Sequence, residues 1–257
     1  MDILIISITA FFVAILTFFS GFGLGTILTP VMMIFLPVEL AIALTGMVHF
    51  FNNIFKLFLV GKNAVRSVLF RFGIPAVLAA FLGAVVLVNI PDAAPIYSYR
   101  MFGQTFEIYA VKLTIALILI FFAAFDLIPY FNSLRFDKKH LPLGGLLSGF
   151  FGGLSGNQGA LRSAFLIKSG LSKEAFIGTA VVVSAFVDFT RLGVYTANFK
   201  DAGLFDHWQL VLFATLSAIS GAYLGNILLK KVSLQFLHIT VAILLIVLSV
   251  CLAMGIV

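Results

Sequence analysis

Eight long apolar runs, with most of the charge confined to the short stretches between them, constrain this chain more than any other feature. They lie at 3–36, 38–60, 68–90, 106–131, 141–170, 171–195, 207–229 and 234–256 of the 257 residues. Hydrophobic residues make up 62% of the chain and charged ones 10%, and mean hydropathy is +1.18. Such a chain cannot present a water-soluble surface, so the apolar runs belong in a bilayer. At roughly 20 residues per crossing they leave little for an extramembrane domain. The first run starts behind Asp2 with no basic residue ahead of it. That differs from a cleaved signal peptide, so the first segment is expected to stay.

Six runs have the length of ordinary spans. The runs 3–36 and 141–170 are too long for one crossing and carry glycine-rich interruptions at 20–25 and 152–159. Each is expected to be a broken helix or a hairpin of two shorter helices. A repeat lies beneath this pattern. Glu39 and Glu174, Asn53 and Asp188, and Lys56 and Arg191 are each separated by 135 positions, as are Gly21 and Gly156. Farther on, the register shifts, with Gly83 matching Gly225 and Thr114 matching Thr240.

Charge sets the expected topology, because Lys and Arg favour the cytoplasmic side. Lys62, Arg66 and Arg71, then Arg135, Lys138 and Lys139, then Lys168 and Lys173, then Lys230 and Lys231, all face the cytoplasm only if 141–170 enters and leaves on one side. By the same logic 3–36 is a hairpin and both termini lie outside. The expected fold is an all-α polytopic membrane protein with a single membrane domain over 1–257. It consists of two inverted repeats, 1–131 and 141–257, each a glycine-broken helical hairpin followed by three transmembrane helices. Inverted repeats with interrupted helices are a recurring transporter architecture, with the substrate held near the midplane where the breaks meet.

Polar residues inside the spans mark the candidate site. His49, Asn52, Asn53 and Lys56 fall on one helical face, and Ser184, Asp188, Arg191 and Tyr195 make the equivalent stripe 135 positions on. Ionisable groups at this depth face a cavity or a partner. For Lys56 and Arg191 two readings stand: snorkelling to the interface, or lining a cavity. Asp188 and Arg191 are spaced either for an internal ion pair or for a proton site that couples transport to a gradient. The glycine breaks add backbone donors, since a helix restarting after Gly23 or Gly159 presents free N–H groups to an anion. Gly25 and Gly156 belong to the same breaks. Arg162 falls in the first turn of the second restart, where a cation calls for an anion to offset it. Asn157, Gln158, Ser155 and Ser163, with Thr26 and Thr29, supply neutral donors for oxyanion oxygens. Close small-residue helix packing is the competing role for the glycines.

Elsewhere the sequence is plainer. Glu39 and Glu174 are placed to complement helix dipoles. His140, His207 and His238 sit at segment edges, and Trp208, Tyr97, Tyr99 and Tyr109 suit an aromatic belt. Asp126 is assigned nothing. Cys251 is the one cysteine, so an internal disulfide and a cysteine-rich metal site are excluded. The net charge of +6 reads as topology signals rather than nucleic-acid binding. No catalytic signature, metal motif or nucleotide loop is present, so no enzyme activity and no cofactor are expected.

The stretch Gly21-Phe22-Gly23-Leu24-Gly25 followed by Pro30, the second glycine break at 152–159, and the Lys56 and Arg191 stripes together resemble the TauE/SafE family of membrane permeases. The resemblance spans essentially the whole chain. It implies export of small sulfur oxyanions, sulfite or organosulfonates such as sulfoacetate, across a bacterial inner membrane, driven by the proton or electrochemical gradient. A passive anion channel and a non-transporting scaffold are the alternatives. On this reading Lys56, Arg191 and Arg162 supply positive potential, His49, Asn52, Asn53, Asn157, Gln158, Ser163 and the amides at Gly23, Gly25, Gly156 and Gly159 hold the anion, and Asp188 couples protons.

Overall fold

The computed structural model describes residues 1–20, 23–90, 94–128, 136–166, 169–199, 203–228 and 234–256. Ten helices hold most of them. The first five are α1 (Asp2–Ser20), α2 (Gly25–Met32), α3 (Val38–Val60), α4 (Arg66–Val88, with a wide turn at Leu69–Gly73) and α5 (Ala110–Leu127). The second five are α6 (Leu141–Ser155), α7 (Gly159–Leu166), α8 (Lys173–Phe199), α9 (Trp208–Leu228) and α10 (Leu234–Ala253). Among the described residues four stretches are long and apolar enough to cross a membrane: Val38–Asn63, Arg66–Val88, Lys173–Phe199 and Leu204–Ile227. Their outward side chains, among them Phe58, Phe70 and Phe189, are exposed, as befits a surface that meets lipid.

Both long apolar runs are broken where the glycines predict. α2 and α7 are 8 residues each, about 12 Å at 1.5 Å per residue, and too short to cross. Gly156 ends α6 with φ of 77°, a left-handed conformation that glycine adopts without penalty. Each broken segment returns to the end it came from. Asp2 and Ile3 share a surface pocket with Phe35 and Leu36. At the second break, a Cβ on Gly144, near the start of α6, would stand 2.3 Å from the Phe165 ring near the end of α7. Both are therefore hairpins.

The two hairpins start from opposite ends of the bundle. Gly178, near the start of α8, abuts Val60 and Asn63, and the Val65 N–H donates to Thr179 Oγ1 at 3.0 Å. Gly145 of α6 abuts Phe72. Lys62, Arg66, Arg71, Lys138, Lys139 and Lys173 thus gather at one end, while Asp2 and Asp206 lie together at the other. Arg135, Lys168, Lys230 and Lys231, and the Gly21 end of the repeat, lie outside the described residues, as does the side chain of Asp126.

Close glycine seams hold the hairpins to the long helices. α6 lies along α4, and Gly145, Gly149 and Gly153 face the carbonyl oxygens of Phe72, Ala76 and Ala80 so closely that a Cβ would stand 2.0 to 2.2 Å away. α1 lies along α9 in the same manner, with Gly221 against Phe11 and Gly225 against Ile15 and Phe18. Gly83 meets Phe150 across the first seam, as Gly225 meets Ile15 across the second, and Phe150 and Ile15 are 135 positions apart. α3 packs on α8, and α5 on α10.

One element departs from an all-α fold. Residues 97–108 form an antiparallel hairpin, β1 (Tyr97–Met101) and β2 (Gln104–Ile108), so the run at 106–131 begins as a strand and turns helical only at Ala110. The local sequence alternates with period two around Phe102-Gly103, whose φ values of 53° and 78° suit a tight hairpin turn. Tyr97 and Tyr99 stack within this hairpin. The Tyr99 hydroxyl donates to the Met254 carbonyl at 2.7 Å and ties the hairpin to the end of α10.

Candidate functional site

The site lies where α3 crosses α8, with α1 and α7 closing its sides. The predicted stripes on α3 and α8 face each other, and all of their members are buried. Asp188 is the hub. Its Oδ1 lies 2.8 Å from Arg191 Nη2 and accepts from Arg191 Nε at 3.0 Å; its Oδ2 receives His49 Nδ1 at 2.6 Å and Asn53 Nδ2 at 2.9 Å. Gln158 Nε2 reaches Oδ1 from the second break at 3.5 Å. The i, i+3 ion pair of Asp188 and Arg191 is therefore formed. Arg191 and Lys56 are 0% and 5% exposed, so neither snorkels.

Beside this hub is a cavity of about 30 Å³, lined by His49, Asn53, Lys56, Arg162, Ser184 and Thr17, with Phe18, Phe176, Ile177, Ala180 and Val181 as its apolar wall. About one to three water-sized spheres fill such a volume. Lys56 Nζ stands 5.3 Å above the Phe18 ring, a cation–π contact that holds the ammonium without neutralising it. Arg162 Nη1 donates to Ser184 Oγ. The buried charged side chains among the described residues are Lys56, Arg162, Arg191, Asp188 and, when protonated, His49. Three cations against one carboxylate leave a formal excess of two positive charges. In a low-dielectric interior that excess favours an anion strongly.

The two glycine breaks meet next to the hub. A Cβ on Gly25 would stand 3.3 Å from the Gly156 carbonyl oxygen, and one on Gly156 would stand 2.8 Å from Arg191 Nη1. Gly23 faces His49 Nε2 at 3.1 Å by the same measure. Thr26 is spent locally, its hydroxyl donating to the Gly23 carbonyl at 2.7 Å. Gly159 opens α7 and carries Arg162 to the cavity one turn later.

Not every predicted residue reaches the cavity. Arg191 turns away to Asp188 and Gly156. Asn52, Asn157 and Ser163 are buried but off the cavity wall, and their side-chain polar atoms have no partner among the described residues; the same holds for Gln158 Oε1 and Thr29 Oγ1. Sequence reasoning missed Thr17 and Phe18. They precede the first break in an apolar helix, and only the α1 packing brings them to Lys56. It also placed Tyr195 at the outer limit of its span, whereas Tyr195 is buried and donates its hydroxyl to the Gly153 carbonyl, with α8 running on to Phe199. Among the described residues no group of His, Cys, Asp and Glu is arranged to hold a metal.

The model of the sulfite exporter TauE/SafE family matches residues 6–252. The chain belongs to that family. No curated protein and no solved structure matches it. As a TauE/SafE protein it is a multi-pass membrane protein of a transporter family.

Proposed function

We propose that this TauE/SafE protein is a secondary transporter that exports a small sulfur-containing anion, sulfite or an organosulfonate such as sulfoacetate. The observation that carries this reading is a small cavity lined by the buried side chains of Lys56 and Arg162 beside the two broken helices, where the described residues set three buried cations against one buried carboxylate. Lys56 and Arg162 hold the anion, His49, Asn53, Ser184 and Thr17 orient its oxygens, and the amides of the breaks add positive dipole.

In this reading 1–131 and 141–257 are inverted repeats that rock against each other about the glycine breaks, opening the cavity to one face at a time. The reciprocal seams of α6 on α4 and α1 on α9, and the opposite starting ends of the two hairpins, support it. The basic end of the bundle faces the cytoplasm of a bacterial inner membrane, which puts both termini outside. Export is coupled to protons and driven by the electrochemical gradient, with Asp188 at the centre of the coupling network.

The test is flux of radiolabelled sulfite, with sulfoacetate and sulfate alongside, into proteoliposomes with and without an imposed pH gradient or potential. Accumulation that needs the gradient, and that is lost in Lys56→Gln and Arg162→Gln, is the expected result. Flux that only runs downhill makes the protein an anion channel, and equal flux in all three proteins overturns the site.

A further inference from the structure

We propose that His49 is the proton-carrying group of the transport cycle, taking up a proton on Nε2 as an anion occupies the adjoining cavity and releasing it as the anion leaves. This rests on the anion site proposed above and names the group that couples it to protons.

The argument starts from the hub. Among the described residues, every group that reaches the Asp188 carboxylate can donate to it: Arg191 from both Nε and Nη2, Asn53 through its amide, Gln158 at the outer limit, and His49 through Nδ1. A carboxylate so surrounded acts as a fixed acceptor. At 2.6 Å the His49 Nδ1 must itself carry hydrogen toward Oδ2. Asn53 Nδ2 is 3.2 Å from the same ring nitrogen, but with Nδ1 already a donor it donates to Asp188 instead. The tautomer is thereby set, and Nε2 is the nitrogen left to gain or lose a proton. Histidine is the side chain suited to do so near neutral pH.

Charge around the ring then ties that proton to the anion. From α8, Asp188 and Arg191 face His49; from its own helix Lys56 does; from α7 Arg162 shares the cavity wall. α1 contributes Thr17 and Phe18 there, and the first break contributes Gly23, none of them charged. Among the described residues, neutral imidazole leaves three buried cations facing one carboxylate, and protonation adds a fourth. An anion in the cavity offsets the added charge, so occupancy and protonation favour each other by equal factors. A proton from the open aqueous face adds to the Nε2 lone pair and gives an imidazolium. On the other face the Nε2–H bond releases that proton to water as the anion departs. A dianion that travels with one proton carries one net negative charge, which an inside-negative potential pushes outward.

The bond is also placed to report the motion. His49 stands on α3 and Asp188 on α8, one in each half of the chain, and Nε2 borders the first break at Gly23. A shift of one half against the other changes both surroundings of the ring together.

The test is proton uptake on anion binding to the protein in lipid nanodiscs, in weakly buffered solution with a pH indicator. The probes are sulfite and methanesulfonate, the latter holding no proton of its own near neutral pH. The wild type is expected to take up as much as about one proton per anion bound, with the His49 ring nitrogens, followed by ¹⁵N-histidine resonances, changing from the neutral to the imidazolium pattern. In His49→Gln the uptake is expected to vanish while weakened binding remains. Binding of methanesulfonate without proton uptake, or uptake that persists in His49→Gln with unchanged histidine resonances in the wild type, overturns the proposal. If neither probe binds, the anion-site reading fails and this one fails with it.

Discussion

Gly25 and Gly156, one from each hairpin, come so close that a Cβ on the first would stand 3.3 Å from the carbonyl oxygen of the second. Gly156 is doubly constrained, with φ of 77° and Arg191 Nη1 only 2.8 Å from the place a side chain would begin. Gly156→Ala is therefore expected to lose about 1–2 kcal/mol from the backbone alone. It should also displace the Arg191 guanidinium, so transport should fall further than stability. Thermal unfolding and proteoliposome flux, measured on the same preparation, check both parts.

Asp188→Asn is expected to be among the most destabilising conservative changes in the chain. It leaves Arg191 buried with a neutral partner, and breaking one side of a buried pair costs about 3–5 kcal/mol. The double variant Asp188→Asn/Arg191→Gln should recover part of that loss. Unfolding midpoints of the two variants decide the matter, and a double variant no better than the single one would argue against the pair as the source.

Lys56→Gln and Arg162→Gln carry the opposite expectation. Each removes one of three buried cations that the described residues set against a single buried carboxylate, so the empty protein should hold its stability or gain some. Anion affinity should fall by about ten- to a hundredfold, on the order of 1.4–2.8 kcal/mol. Binding titrations set beside melting curves separate this outcome from general damage.

Glycines in the helices should divide sharply by position. Gly149→Leu sets a side chain where even a Cβ would stand 2.0 Å from the Ala76 carbonyl oxygen, and α6 cannot move off α4 without opening the seam. Loss of folded protein is expected, read as a missing monodisperse peak in detergent. Gly193, on the outer face of α8, has nothing within 4 Å, so Gly193→Ala should be neutral or stabilise by up to about 1 kcal/mol.

Much of this architecture was legible in the chain. The apolar runs, their two glycine breaks and the offset of 135 positions follow from one-dimensional patterns, because bilayer thickness fixes helix length and glycine interrupts helices wherever it clusters. The stripes on α3 and α8 were legible too, since helical period alone puts His49, Asn53 and Lys56 on one face and Asp188 with Arg191 on another. The hairpin at 97–108 escaped that reading, because its second strand leads directly into an apolar helix and the two merge into a single run. Which cations share a cavity and which pair with Asp188 was a matter for tertiary structure alone. Arg191 and Lys56 stand 135 positions apart on matching polar stripes, yet the first lies beside its own helix's aspartate and the second beneath Phe18 of α1, a neighbour 38 positions away that only the packing of α1 supplies. The physical reason is range: helix period and bilayer thickness act locally along the chain, whereas a buried charge takes its meaning from whatever the fold brings within a few ångströms of it.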